Sequence, residues 1–282
     1  MGDDHPAMTV RCAVLGSPIE HSLSPALHRA AYARLGLSDW EYERHRIEAD
    51  QLADFVAGLD DSWRGLSLTM PLKVAALEVG EPDEVSLLAA AGNTMIFEPG
   101  SRPKVYNTDV GGLVAAFAAA GVDKINSATV LGSGATARSS LISVTRMGAE
   151  VVRLMARRPD HARRTLGGLA DRLGVGLQVS AWGAEVPAAD VLISTVTKGA
   201  ADPIADQAAA AAPVIFDVIY DPWPTALADA AAQAGRTVLN GLDLLVNQAV
   251  GQIELMTGRT VPAALLLDAG RKVLAGVKDC PT

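Results

Sequence analysis

The sequence predicts an α/β fold with mainly parallel strands, divided between two domains. Short β-branched runs alternate along the chain with Ala- and Leu-rich amphipathic segments, as in strands connected by helices. A strand in the second half runs directly into a glycine-rich turn and a helix, at residues 129–137. The 282 residues fit about two domains of roughly 150 residues each.

The first half predicts strands alternating with helices. The candidate strands are residues 9–15, 42–47, 65–69 and 93–97, and the candidate helices are residues 24–35, 49–58 and 73–79. We expect Ser24 to be the N-cap of the first helix, Pro25 to occupy its first position, and Gly36 to end it.

The second half predicts a further set of strands with helices between most of them. These candidate strands are residues 129–131, 150–155, 176–180, 191–195 and 214–218. The final forty residues are expected to form two helices separated by Gly258 and Pro262. Residues 107–112 are the candidate hinge between the two sets.

Charge and composition exclude several classes of protein. A formal net charge of −8 has the wrong sign for a nucleic-acid binder. Neither a signal peptide nor a membrane-spanning segment is expected, which predicts a cytoplasmic protein. The two cysteines, Cys12 and Cys280, have no metal-ligand spacing, and Cys12 is expected to be a buried apolar residue. His21 and His28 have no evident third ligand, so no metal site is expected.

The glycine-rich turn has the G-x-G-x-x-A pattern that binds a dinucleotide, and we expect six residues to contact it: Gly132, Ser133, Gly134, Ala135, Thr136 and Ala137. Gly132 permits a tight turn, Gly134 lets the backbone approach a pyrophosphate, and Ala137 allows close packing of the helix on the strand. A glycine-rich turn without a ligand is the alternative.

The end of the next strand indicates which coenzyme binds. An Asp or Glu there would hold the ribose hydroxyls of NAD, but the strand ends in Arg157 and Arg158. Two guanidinium groups and no carboxylate favour NADP, because they match its 2′-phosphate. A solvated basic start to the following helix is the alternative.

Polar residues of the first half suit a small polyhydroxy acid. Ser22 and Ser24 lie at a helix start, where hydroxyls can bind a carboxylate, although simple capping by Ser24 explains them as well. Lys73 and Asp109 are a plausible acid/base pair at the junction of the two sets. The alternatives are a surface lysine and an aspartate that caps a helix or turn.

These motifs, taken in order, resemble the shikimate dehydrogenase family over nearly the whole chain. The matching segments are residues 16–25 (GSPIEHSLSP), Thr69-x-Pro-x-Lys73, Asn93-Thr94, Asn107-Thr108-Asp109, the Gly132 turn, Asp217-x-x-Tyr220-x-Pro222, and Gly241-Leu242-x-x-Leu245-Val246-x-Gln248. The resemblance implies NADP-dependent interconversion of 3-dehydroshikimate and shikimate, in chorismate and aromatic amino acid biosynthesis. It also implies a Rossmann-like NADP-binding domain at residues 109–241 and a substrate domain at residues 1–108 plus 242–282.

The resemblance also implies residue roles. Lys73 and Asp109 would be the catalytic pair, and Ser22 and Ser24 would hold the substrate carboxylate with Tyr220 nearby. Ring hydroxyls would be bound by Thr69, Asn93, Asp109 and Gln248. Beside the Gly132 turn, the coenzyme would be lined by Arg157, Arg158, Val218 and Gly241.

The chain departs from the family pattern at several positions. Ser67 stands where the family commonly has Asn, and Ala90 and Val110 stand where it usually has Gly. The usual Asn-Arg-Thr after the second nucleotide-domain strand is Ala156-Arg157-Arg158, in which the central Arg alone matches. A quinate dehydrogenase using NAD and a non-catalytic nucleotide-binding module stay open as alternatives. The expected assembly is a monomer or a homodimer.

Overall fold

The computed structural model describes residues 9–276, so predictions that concern Cys280 or the first eight residues lie outside the described part. The chain divides into two compact units: residues 9–108 and 249–276 belong to unit 1, and residues 109–248 to unit 2. Each unit contains a six-stranded sheet with helices, which confirms the predicted α/β class. No helix between residues 9 and 276 has the length and apolar character needed to cross a bilayer.

The sheet of unit 1 is mixed, because its strand β5 is antiparallel to both of its neighbours while the other pairs are parallel. Its strands are β1 (Val10–Gly16), β2 (Trp40–Arg46), β3 (Trp63–Leu68), β4 (Glu81–Pro82), β5 (Thr94–Ile96) and β6 (Lys104–Tyr106). The strand order is β2-β1-β3-β5-β6-β4. Strand β1 pairs in parallel with β2 and β3, whereas β5 is antiparallel to β3 and β6. The sequence did not predict β4 and β6, because two or three residues are too few to establish a period.

The sheet of unit 2 is parallel throughout. Its strands are β7 (Ser127–Leu131), β8 (Val151–Ala156), β9 (Gly176–Ala181), β10 (Val191–Ser194), β11 (Val214–Asp217) and β12 (Thr237–Asn240), in the order β9-β8-β7-β10-β11-β12. From β7 the chain continues to β8 and β9 on one side, and then crosses to β10, β11 and β12 on the other side of β7. This reversal creates a crevice at the carboxyl ends of β7 and β10, where such sheets bind ligands.

Residues 9–276 form eleven α-helices, of which nine lie between strands and the last two follow β12. They are α1 (Ser24–Leu35), α2 (Leu52–Ala57), α3 (Leu72–Val79), α4 (Glu84–Ala89), α5 (Thr108–Ala119), α6 (Ala135–Arg146), α7 (Pro159–Leu173), α8 (Ala205–Ala211), α9 (Ala226–Gln233), α10 (Gly241–Thr257) and α11 (Ala263–Leu274). The helix predicted at residues 49–58 is a 3₁₀ turn at Ala49–Gln51 followed by α2. The candidate hinge at residues 107–112 is helical from Thr108 onward.

The prediction that Ser24 caps α1 is wrong. Leu23 occupies the N-cap position with no side-chain cap, and Ser24 is the first helical residue. The Ser22 hydroxyl instead accepts a 3.3 Å hydrogen bond from the Ser24 N–H. Gly36 ends the helix in the left-handed conformation, as predicted, with φ of 69°.

The core of unit 1 contains a histidine that sequence analysis had weighed as a metal ligand. His28 on α1 is fully buried and its ring stacks on Tyr42 at a centroid distance of 4.0 Å. Its Nε2 lies 3.4 Å from Gln252 Oε1, and its Nδ1 has no hydrogen-bond partner in the described structure. Burial lowers the pKa of His28 to about 3, so the imidazole stays neutral in the folded protein.

His28 should make the stability of the protein depend on pH. The folded protein keeps His28 neutral while the unfolded chain binds a proton below about pH 6.5, so stability is full above that pH and falls toward pH 3. We expect the free energy of unfolding of His28→Phe to fall less steeply from pH 7 to 4, by up to about 1.4 kcal/mol per pH unit. Urea unfolding at several pH values measures this difference.

The matched control is His161→Asn, since His161 is exposed on α7. This variant should keep the pH dependence of the wild type. A gap between His28→Phe and wild type that stays constant from pH 7 to 4 would contradict the assignment.

Ala90 adopts a backbone conformation that favours glycine. It follows α4 with φ of 49° and ψ of 40°, in the left-handed region where a Cβ is unfavourable. We expect Ala90→Gly to raise the free energy of unfolding by about 0.5–1 kcal/mol. The control Ala53→Gly, on the exposed side of α2, should lower it by roughly 1 kcal/mol. Equal destabilisation of both variants in urea unfolding would refute the strain at Ala90.

Candidate active site

In unit 1, the loops after β1 and β3 meet at one edge of the sheet. Their backbones are hydrogen-bonded twice, from Thr69 N to Leu15 O at 3.0 Å and from Ser17 N to Met70 O at 2.9 Å. A Cβ on Gly16 would lie 2.4 Å from Thr69 Cγ2, so glycine is required for this approach. The parallel pairing of β1 with β3 therefore brings the Ser22 loop and the Thr69 loop to the same edge.

The two serines of the first loop differ in exposure. Ser24 is buried at the start of α1, and Ser22 is half-buried in the turn before it. Because the Ser22 hydroxyl is bonded to the Ser24 N–H, both residues lie at the positive end of the helix. This end of α1 suits an anionic group such as a carboxylate.

Lys73 is held at the start of α3 by the backbone around it. The helix begins at Leu72, whose N–H donates to Thr69 O at 2.8 Å. Lys73 O accepts a 2.7 Å hydrogen bond from Gly92 N, which fixes α3 beside the segment that leads into Asn93. The Lys73 side chain is half-buried. Thr69, Lys73 and Asn93 are thus parts of one hydrogen-bonded region of unit 1.

Asn93 is buried and its side chain is oriented by several hydrogen bonds. Its Nδ2 donates to Thr108 Oγ1 at 2.9 Å, and its Oδ1 accepts from Thr108 N at 2.8 Å and from Thr94 Oγ1 at 3.0 Å. Asn107 Nδ2 donates to Ala91 O at 2.8 Å, which ties the segment before α5 to the same region. The amide of Asn93 therefore has a fixed orientation.

Sequence analysis missed Gln252, a buried residue that links Asn93 and Thr94 to Ser67 by hydrogen bonds. Gln252 on α10 is 1% exposed and donates from Nε2 to Asn93 O at 3.1 Å and to Thr94 Oγ1 at 3.0 Å. Its Oε1 accepts from Ser67 Oγ at 2.8 Å, and Ser67 Oγ accepts from Tyr42 OH at 2.6 Å. Ser67, noted as a departure from the family pattern, is therefore a buried link between two side chains. A polar residue one turn after Gln248 on an apolar helix was the available signal.

In unit 2, the Gly132 turn has the geometry expected of the nucleotide motif. Gly132 has φ of 107°, and a Cβ there would lie 2.5 Å from Thr195 Oγ1. Its N–H donates to Met155 O at 2.9 Å, which ties the turn to the end of β8. Gly134 is the N-cap of α6, and Ala137 is fully buried on that helix. The turn therefore holds the positive end of α6 at the crevice.

A cavity of about 450 Å³ lies at these strand ends. It is lined by the Gly132 turn, by Arg157 and Arg158 after β8, by Trp182 after β9, and by residues 195–197 after β10. A Cβ on Gly134 would meet no atom within 4 Å, so protein packing does not require glycine there. The absent side chain instead leaves room for a ligand against the backbone, which is how a pyrophosphate binds.

Arg157 and Arg158 are exposed at this cavity, next to the N-terminus of α7. Within residues 9–276, neither guanidinium has a hydrogen bond or ion pair. Cations are unfavourable beside a helix N-terminus, whose partial charge is positive. Both arginines and the helix end therefore favour a bound anion, and the cavity fits the 2′-phosphate and pyrophosphate of NADP.

Val218 and Gly241 contact each other, and neither lines this cavity. Gly241 N donates to Ile219 O at 3.3 Å, and a Cβ on Gly241 would lie 1.9 Å from Val218 O. Buried Asp217 orients the loop that carries half-buried Tyr220, because it accepts from Thr225 Oγ1 at 2.7 Å and from Ile219 N at 3.3 Å. Burial raises the pKa of Asp217.

Asp109 and Gln248 lie on two helices that approach closely within unit 2. Asp109 is buried in the first turn of α5, a favourable position for a carboxylate. One turn later on α5, a Cβ on Gly112 would lie 2.7 Å from Gln248 N on α10. Gln248 Nε2 donates to Leu245 O at 2.8 Å. Within residues 9–276, no group of His, Cys, Asp and Glu is arranged to hold a metal ion.

Family models match both ends of the chain. The shikimate dehydrogenase substrate binding domain matches residues 14–95, and the shikimate 5′-dehydrogenase C-terminal domain matches residues 241–269. The first match covers the Ser22 loop, the start of α3 and Asn93, and the second covers Gly241, Gln248 and Gln252.

Relatives match over almost the full length. The shikimate dehydrogenase (NADP(+)) of Methanothrix thermoacetophila is 35% identical and covers 93% of this chain and 97% of its own length. The crystal structure of Mycobacterium tuberculosis shikimate dehydrogenase has a TM-score of 0.86 at 38% identity, covering 93% of this chain and 99% of that one. The Thermus thermophilus enzyme in complex with NADP(H) and shikimate has a TM-score of 0.81 at 30% identity, with the same coverage of each chain. The chain belongs to the shikimate dehydrogenase family.

Proposed function

We propose that the chain is an NADP-dependent oxidoreductase that interconverts 3-dehydroshikimate and shikimate. The observation that carries this proposal is the cavity of unit 2, in which a glycine-rich turn and two exposed arginines face the same space. Relatives that match over almost the full length carry the name shikimate dehydrogenase (NADP(+)). The reaction belongs to aromatic amino acid biosynthesis.

We assign the coenzyme to unit 2 and most of the substrate residues to unit 1. The Gly132 turn and α6 would hold the pyrophosphate, and Arg157 and Arg158 the 2′-phosphate, for the electrostatic reasons given above. When bound, NADPH supplies the hydride that reduces the ring ketone. Val218 and Gly241 are also proposed to line the coenzyme, since Val218 follows β11 and Gly241 follows the neighbouring strand β12 in the same sheet.

For the substrate, we assign the carboxylate to Ser22 and Ser24 at the start of α1, with Tyr220 contributing to its binding. Ring hydroxyls are assigned to Thr69, Asn93, Asp109 and Gln248. The fixed orientation of Asn93 supports its part in this set, because an oriented amide discriminates between hydroxyl positions.

Lys73 and Asp109 are proposed as the catalytic pair. Hydride addition to a ketone places negative charge on its oxygen, and a positioned ammonium group stabilises that charge and donates the proton. Lys73 supplies that ammonium group from a backbone position fixed by Gly92. The Asp109 carboxylate would orient Lys73 and accept a hydrogen bond from a neighbouring substrate hydroxyl.

An assay with four substrate pairs tests the function. Purified protein is given shikimate or quinate, each with NADP or NAD, and the absorbance of the reduced nicotinamide is followed. We expect shikimate with NADP to have the highest kcat/KM. Turnover mainly of quinate with NAD would assign the chain to the related quinate activity, and no turnover of any pair would favour a nucleotide-binding module.

We also propose that the protein is cytoplasmic and that it is a monomer or a homodimer. Sedimentation equilibrium of the purified chain measures the assembly directly.

Replacing Lys73 should remove the proton donor without affecting the coenzyme. We expect Lys73→Ala to lower kcat by roughly 100-fold or more, with NADPH affinity nearly unchanged. Steady-state reduction of 3-dehydroshikimate and a fluorescence titration with NADPH measure the two quantities. Lys104→Ala is the control, since Lys104 on β6 has a half-buried side chain like that of Lys73 and pairs with Glu98. Near-normal turnover of Lys73→Ala would remove this residue from the mechanism.

Replacing both arginines should reduce the preference for NADP. The 2′-phosphate distinguishes NADP from NAD, so Arg157→Ala/Arg158→Ala should lower the ratio of kcat/KM for NADP to that for NAD by roughly tenfold or more. Arg164→Ala, an exposed arginine further along α7, is the matched control. An unchanged ratio in the double variant would favour a solvated helix start at these positions.

A further inference from the structure

Trp182 is a large aromatic residue in the nucleotide cavity to which neither the motifs nor the family resemblance assigns a role. It follows β9, the edge strand beside β8, and its N–H donates to Ala156 O at 3.0 Å. Ala156 is the residue before Arg157, so this hydrogen bond fixes Trp182 next to the two arginines. The side chain is half-buried, packs against the apolar cluster under the sheet edge, and lines the cavity.

The indole ring of Trp182 has no stacking partner among the described residues. Within residues 9–276, no other aromatic ring and no guanidinium stacks on Trp182, although several other rings of the protein are paired in that way. Among the described residues that line the cavity, Trp182 is the one aromatic residue, and those of the Gly132 turn are small. The cavity thus combines two cations, a helix N-terminus and one planar apolar surface.

The covalent structure of NADP relates these groups to one another. Its 2′-phosphate and its adenine are attached to adjacent carbons of one ribose, so the base lies beside the phosphate wherever the phosphate binds. If Arg157 and Arg158 hold the phosphate, the base reaches the neighbouring part of the cavity wall. A purine favours contact with a planar aromatic surface such as an indole.

We propose that Trp182 binds the adenine ring of NADP by stacking, and so completes an adenosine 2′-phosphate subsite with Arg157 and Arg158. This inference rests on the proposed function, because it takes NADP as the ligand of the cavity. Trp182 does not contact the reacting atoms in this scheme. Its replacement should therefore change affinity for the adenosine half of the coenzyme and leave the chemical step unchanged.

Binding of adenosine 2′,5′-bisphosphate tests the proposal without turnover. By calorimetric titration, we expect Trp182→Leu, which keeps apolar bulk but lacks a ring, to bind this probe about tenfold or more weakly. Trp182→Phe, which keeps a ring, should stay within about threefold of the wild type. In steady-state assays, Trp182→Leu should raise the KM for NADP and leave kcat and the KM for shikimate near wild-type values.

Several results would overturn the proposal. The first is that Trp182→Leu binds the probe within about twofold of the wild type. The second is that both variants lose affinity equally, and the third is that the wild type does not bind the probe at all. If the wild type binds the probe but shows no turnover of shikimate with NADP, the proposed function fails and the stacking role is decided by the variants alone.

Fluorescence quenching keeps the proposal testable if Trp182→Leu is unstable. A purine stacked on Trp182 should quench its indole emission, so adenosine 2′,5′-bisphosphate should quench the wild type and Trp182→Phe should lose most of that quenching. Trp40→Phe is the control, because Trp40 lies in β2 of unit 1 against Tyr32. Quenching in Trp182→Phe equal to that of the wild type would overturn the assignment.

Discussion

Both candidate sites depend on a glycine at a strand end that is in contact with the threonine after the neighbouring strand. In unit 1, a Cβ on Gly16 would lie 2.4 Å from Thr69 Cγ2, and in unit 2 a Cβ on Gly132 would lie 2.5 Å from Thr195 Oγ1. The backbones are joined in both cases, with hydrogen bonds of 3.0 Å from Thr69 N and 2.9 Å from Thr195 N. Parallel strands bring their carboxyl ends to one edge, and the missing side chains let the loops there pack as a single surface.

The polar core of unit 1 orients Asn93, which we propose as a substrate-binding residue, with neutral groups. Burial lowers the pKa of His28 to about 3 and raises the pKa of Tyr42 well above its usual value, so both side chains stay uncharged. Gln252 and Ser67 carry no charge, and together these groups hold the backbone of Asn93 and its neighbour Thr94. A neutral hydrogen-bonded network rigidifies a buried region without the desolvation of an ion. The side chains that hold Asn93 and Thr94 from this core therefore do so without a buried charge.

Features with a local signal were predictable from the sequence, and features that depend on distant packing were not. The α/β class and the Gly132 turn follow from periodicity and from a short motif, and both are found in the structure. Ser24 was assigned as a cap from residue type alone, although Pro25 fits either of the first two helical positions, so the boundary was displaced by one residue. Gln252 and Trp182 were missed because their roles are visible only when residues far apart in sequence meet: Gln252 with Ser67, and Trp182 with the end of β8.

The side chains at the nucleotide cavity include two positive charges, whereas the whole chain has a net negative charge. The protein has 24 basic and 32 acidic residues, yet two adjacent arginines stand exposed at the positive end of α7. Their mutual repulsion and the helix dipole both destabilise the folded chain at this point, and salt in solution screens only part of this. A bound anion removes both unfavourable terms and also gains charge-assisted hydrogen bonds. Because a ligand that binds only the folded state stabilises it, an anion bound at these arginines would also stabilise unit 2. The local electrostatics at the end of β8 therefore favour a phosphorylated coenzyme, as the proposed function requires.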